Sequence, residues 1–156
     1  MPVSDQSRAS QSPSSRSELT MSIANLAARS MSVLPSPFEL VDASSGAVVA
    51  AALAEAGVDG DKHRIRLSQP TGGPDEPLQV ARLALDLAAM AAASSGVEAG
   101  LGCADDGRST FVIATCTSAG RNWRELPLLP NEPALTVAAA LWWANSVVTS
   151  ASVQSA

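Results

Sequence analysis

Apolar and polar positions follow two alternating rhythms along this chain. Leu19, Ile23 and Leu26 recur at helical spacing, and Ser15 with Glu18 three residues later forms a capping box ahead of them. Pro35 and Pro37 end that helix. Phe38 to Asp42 reads as a short strand with Phe38 and Leu40 on one side, and Ser44-Ser45-Gly46 as a turn. Ala47 to Ala56 favours a helix by propensity, while its place between two turns equally allows a buried strand. His63, Ile65 and Leu67 alternate with Arg64, Arg66 and Ser68, which is strand periodicity with one wet face.

A Pro/Gly-rich linker, Gln69 to Pro77, leads into the most informative segment. In a helix from about Asp75 to Ser95, Val80, Leu83, Leu87 and Met90 share one face. Leu78, Ala81, Leu85, Ala88 and Ala92 share a nearly opposite one. A helix apolar on two sides needs two partners: one could be the sheet, and the other a second helix or a second subunit, in which case Leu78, Ala81, Leu85, Ala88 and Ala92 form the dimer interface. Val97 to Ala104 and Ser109 to Thr117 read as strands joined by the Asp105-Asp106-Gly107 turn. Gly120 to Pro130 reads as a loop holding Trp123, and a last helix runs from Asn131 or Glu132 through Trp142-Trp143 to about Val148.

The expected fold is therefore α+β: three helices and an antiparallel sheet of about five strands in the order α-β-β-β-α-β-β-α. Residues 1–16 form a Ser/Gln/Pro-rich tail without the apolar run of a secretory signal, 17–150 a single domain, and 151–156 a flexible end. Ala134 to Val148 is short for a membrane span and carries Asn145.

Charge and chemistry narrow the function. The net charge of -5 argues against binding nucleic acid or anionic membranes. Lys62 is the only lysine and His63 the only histidine, and there is no tyrosine. His63 reads as a surface strand-end residue, with no Ser, Cys or acid placed by motif to work with it. Asp105 and Asp106 are explained by turn chemistry. Gly100-Leu101-Gly102 lies inside a strand and does not extend to a nucleotide-binding loop. If Cys103 faces Thr110 across the hairpin, Cys116 lies roughly 20 Å away at about 3.4 Å per residue. A disulfide needs Cα atoms within about 7 Å, so two free buried thiols follow, and no spacing suits a metal. Arg121, Trp123 and Arg124 form either a binding hot spot or a loop whose Trp tucks onto the core edge.

The succession PLQVARLALDLAAMAAASSG, VEAGLGCADDGRSTFVIATC and EPALTVAAALWWANSV resembles the class I type III secretion chaperones of the CesT/Tir type, and among them the general export chaperones of plant pathogens. The resemblance spans roughly Glu18 to Val148 and departs at Ala47–Ala56, where the family has a strand. It implies a cytoplasmic bacterial homodimer, not an enzyme and without cofactor, that holds the N-terminal regions of secreted effectors partly unfolded for export. Leu19, Ile23, Leu26, Phe38, Leu40 and Trp123 would then receive the client, and components of the secretion apparatus would be further partners. The rival expectations are an adaptor that binds a folded partner, and an enzyme built on His63, Asp105 and Asp106.

Overall fold

The computed structural model describes residues 18–58, 60, 62–68, 77–129 and 131–155. The expected tail, the Ser15 cap and most of the Pro/Gly linker lie outside them. In chain order the elements are helix α1 (18–32), strand β1 (Phe38–Asp42), a short 3-10 turn (Ser45–Ala47), α2 (Val48–Glu55), β2 (Arg64–Leu67), α3 (Pro77–Ala92), β3 (Ala99–Asp105), β4 (Thr110–Thr117), β5 (Gly120–Pro127) and α4 (Pro133–Ser155).

The α+β class and the five-stranded sheet agree with expectation, but the layout differs. There are four α-helices among the described residues, because Ala47–Ala56 carries helix α2. Gly120–Pro127 is a strand. The sheet is mixed, in the order β2-β1-β3-β4-β5. β1 runs parallel to both β2 and β3, and only β3-β4-β5 is antiparallel. Parallel strands need crossover helices, and α2 and α3 supply them.

Alternation along each strand divides the core. Phe38, Leu40, Leu101, Cys103, Phe111 and Ile113 point to one face, where α1, α2 and α4 cover them. Val41, Ala104, Val112 and Ala114 point to the other, which α3 covers alone. α3 lies unusually close to β3. A Cβ at Gly102 would meet the Ala84 carbonyl and stand 2.6 Å from the Ala88 nitrogen, and one at Gly100 would meet the backbone of Ala88 and Ala92. Glycine on the strand and alanine on the helix permit that approach.

α1 reverses the expected pattern. It buries Ala24, Ala27, Ala28 and Met31 and leaves Leu19 and Leu26 exposed, with Ile23 half-buried. Small residues let α1 settle on its neighbours, and Asn145 Nδ2 donates to the Ser30 carbonyl at 3.1 Å to join α1 to α4. α4, over Pro133–Ala151, is long and apolar enough by length and composition to cross a membrane. Here it is a core helix, with Val137, Ala138, Ala140, Leu141, Ala144 and Val148 buried in the domain.

His63 is buried, not a surface residue. Its ring stacks on Phe38 at 4.2 Å, and its Nδ1 accepts from the Phe38 amide at 3.3 Å. The proton therefore sits on Nε2, which faces the Ser32 and Leu34 carbonyls without closing a bond of normal geometry. Burial, with the Lys62 charge beside it, holds the imidazole below its ordinary value of 6.5. The unfolded chain then takes up the proton more readily than the folded one, so stability is full above about 6.5 and falls as pH drops through the folded value. Melting temperatures on a pH series should show this acid-side loss, and His63→Gln should flatten it. An unchanged slope in the variant would mean that another group carries it.

Candidate functional site

Strand order reverses direction between β1 and β3. From β1 the chain passes through α2 to β2 on one side, and from β3 it turns to β4 on the other. In open sheets with parallel strands, the crevice at the carboxyl ends of such a pair is where ligands bind. Asp42 ends β1 and Asp105 ends β3, so both carboxylates stand at this crevice.

The β1–α2 turn is built around them. Asp42 is fully buried. Its Oδ1 accepts from the Ser44 amide at 2.9 Å and from the Ser44 hydroxyl, and its Oδ2 accepts from the Ala50 amide at 2.9 Å in the first turn of α2. Asp105 reaches across from β3. Its Oδ2 accepts from the Ser45 amide at 2.9 Å and its Oδ1 from the exposed Ser45 hydroxyl at 3.0 Å. Burial raises the Asp42 carboxyl above the ordinary aspartate value, against the lowering effect of its hydrogen bonds, and Asp105 raises it further. Burial pushes the Cys103 thiol well up, and the two carboxylates add to it, so it stays protonated.

Between these hydrogen bonds the backbone is left-handed twice in succession, at Gly46 (φ 74) and Ala47 (φ 45). Ala47 is the one non-glycine residue with positive φ among the described residues. Gly46 also lines an apolar cleft of about 200 Å³ between α1, α2 and α4, with Met21, Ala24, Val48, Ala52 and Val137. A larger cavity of about 350 Å³ sits at the opposite end of the sheet, lined by Thr117, Asn122, Ser146 and Ser150. Its lining carries no charged residue, so volume alone does not make it the site.

The structure scatters the residues expected to act together. Phe38 and Leu40 are fully buried in the main core and cannot receive a client. Leu19, Leu26 and Trp123 are exposed, Trp123 on an edge strand and not in a loop. Ala81 and Ala88 pack on the sheet inside the chain, while Leu85 and Ala92 are half-buried on one flank of α3 and Leu78 stays exposed. His63 lies beside Phe38, which pairs with Ala99. Asp105 is six residues further along β3, about 20 Å away at about 3.3 Å per residue, so no His–Asp pair forms with it. Asp106 caps its own turn, with Oδ1 accepting the amides of Arg108, Ser109 and Thr110. Cys103 pairs with Ile113, and Cys116 lies three positions on and on the opposite face. Both thiols are free, although Cys116 is only half-buried. No group of three or more potential metal ligands occurs among the described residues.

Asp42, Ser44, Ser45 and Gly46 went unread as a site. A strand, an Asp-x-Ser-Ser-Gly turn and a helix form a recognisable sequence only once the alanine-rich stretch is taken as helix.

This is an open α+β domain with helices on both faces of a mixed sheet and two aspartates at its switch point. No family model matches the chain, and no curated protein matches it. Among solved structures its fold is similar to that of the competence/damage-inducible protein CihA from Agrobacterium tumefaciens, with a TM-score of 0.54 and 18% identity over 81% of this chain and 94% of that one. A CinA superfamily protein from Klebsiella pneumoniae aligns with a TM-score of 0.47 and 14% identity over 83% and 98%. The likeness to the Agrobacterium protein is one of fold alone, and it overturns the type III secretion chaperone resemblance. Effector holding, a part in export and a virulence role fall with it, and the adaptor alternative gains no support. The misreading came from the element order, which alone does not distinguish parallel from antiparallel pairing.

Proposed function

We propose that this chain is a non-catalytic binding domain for a small donor-bearing molecule, an amine or polyol with an apolar part, held at the β1–α2 turn. The observation that carries this reading is the left-handed Gly46–Ala47 backbone, placed where the Asp42 and Asp105 carboxylates meet. An alanine in that conformation costs about 1–2 kcal/mol, and such strain concentrates at ligand clamps. With Asp42 sealed inside the turn, a ligand's N–H or O–H groups would meet Asp105 and the exposed Ser45 hydroxyl. The adjacent cleft suits a compact apolar portion.

Chemistry is left without a candidate base. Both Asp42 oxygens are occupied, the Cys103 thiol is buried and protonated, and the only imidazole lies at the far end of the strands. Unpaired thiols fit a reducing bacterial cytoplasm. The Agrobacterium protein's description names a condition of induction and no ligand, so it does not narrow the ligand class.

Thermal-shift titration with a panel of amines and polyols tests this. A saturable rise in melting temperature is expected, with affinity at least about tenfold weaker in Asp105→Asn, since hydrogen bonds to a charged acceptor contribute about 1.5–3 kcal/mol. If no compound stabilises the wild-type chain, the binding reading fails. Conversion of a bound compound to product, seen by mass spectrometry, would instead remove the non-catalytic part.

A further inference from the structure

β5 forms one free edge of the sheet, and all its residues except half-buried Leu126 are exposed. The Leu128 amide donates to the Ser109 carbonyl at 2.8 Å, in register with the pairs Phe111–Leu126, Ile113–Arg124 and Thr115–Asn122. Bonded and outward positions alternate in an antiparallel ladder. The even-numbered residues of β5 therefore bond β4, while Arg121, Trp123 and Glu125 turn their N–H and C=O groups away from the sheet. Pro127, the next outward position, has no N–H and ends the usable edge.

These three side chains share the face on which α3 lies, because they stand opposite Cys116, Ala114 and Val112. α3 covers β3 and β4 and touches β5 less. Leu87 of α3 packs toward β1, which leaves Leu78 and Leu85 on the flank nearer β5. Leu78 is 73% and Trp123 43% exposed. Arg121 and Glu125 have no ion-pair partner among the described residues.

Read outward, the edge is Arg–Trp–Glu at alternate positions, and that order is complementary to itself when reversed. We propose that two copies of this chain pair β5 with β5 about a two-fold axis, with Trp123 opposite the partner's Trp123 and Arg121 opposite the partner's Glu125. All three outward positions then form hydrogen-bonded pairs, each exchanging both main-chain bonds. Opposite charges and aromatic rings face each other directly, the favourable cross-strand combinations. Sliding by two residues sets both charges against uncharged side chains, and in-register parallel pairing sets Arg on Arg and Glu on Glu. The edge thus selects a second copy in one register over an arbitrary extended peptide. The two α3 helices would flank a shallow channel filled by the tryptophans, with Leu78 and Leu85 as its walls. This pairing stands independently of the ligand reading.

Sedimentation equilibrium of the full chain tests it, with far-UV circular dichroism to confirm folding. The wild type should be a dimer. Arg121→Glu places like charges opposite each other at both symmetric positions and should weaken dimerisation about tenfold or more, as should Glu125→Arg. The double variant R121E/E125R restores complementarity and should regain wild-type dimerisation. Trp123→Pro removes an outward N–H without taking a bond from β4 and should give a folded monomer. A monomeric wild type, or single charge variants that dimerise normally, would overturn the proposal. So would a double variant no better than either single one.

Discussion

Gly102→Ala should cost about 4 kcal/mol or more, a loss most single alanine substitutions never approach. The new methyl would collide with the Ala84 carbonyl and lie 2.6 Å from the Ala88 nitrogen and 2.9 Å from the Leu87 Cβ. Two of these neighbours are helix backbone and cannot swing aside. α3 would have to lift from the sheet, which opens the contact between Val80, Ala81, Ala84 and Ala88 below it and Ala104, Val112 and Ala114 above. Since domains of this size are stable by roughly 5–15 kcal/mol, the variant should be marginal. Urea unfolding followed by circular dichroism measures the loss. A variant within about 1 kcal/mol of wild type would mean that α3 does not ride on β3 as described. Gly100→Ala, facing the Ala88 carbonyl and the Ala92 backbone, should behave alike.

Asp42→Ala ranks second, at about 3–4 kcal/mol. It strips acceptors from the Ser44 amide, the Ser44 hydroxyl and the Ala50 amide at a buried position, and each buried donor left unsatisfied costs about 1–3 kcal/mol. It also removes the anion at the start of α2. Asp42→Asn should not rescue, because three donors converge on the carboxylate and the amide would present them with a fourth. The carboxylate itself sits uneasily: its raised pKa means that the folded state holds this proton longer than the unfolded one. Its contribution is therefore largest below the ordinary value of 3.8 and declines as pH rises through the folded value. The stability gap between wild type and Asp42→Ala should widen on mild acidification. A gap that narrows would mean that Asp42 is favoured as the anion.

What the sequence revealed depended on how each element is buried. β4 and α3 were legible because each has a continuous apolar face. β5 was not, since an exposed edge strand shows Gly-Arg-Asn-Trp-Arg-Glu with no buried alternation. α2 was ambiguous because alanines suit a short buried helix and a buried run alike. α1 misled for the opposite reason: its larger side chains point outward while alanines make the contact. Parallel pairing of β1 leaves no local mark at all, and with it went the switch point, so the Asp42–Ala47 turn looked like a loop between strands.

The Asn145–Ser30 bond spans 115 residues of chain, and α1 meets α4 on the same face of the sheet. That layer closes only after the last helix has been made. A nascent chain that has already formed β1, β3 and β4 must keep Phe38, Leu101 and Phe111 from other greasy surfaces until α4 arrives. Distant contacts of this kind slow folding and lengthen the time during which an incomplete chain can stick to its neighbours. The stage of this protein's life most exposed to aggregation is thus the interval before α4 docks.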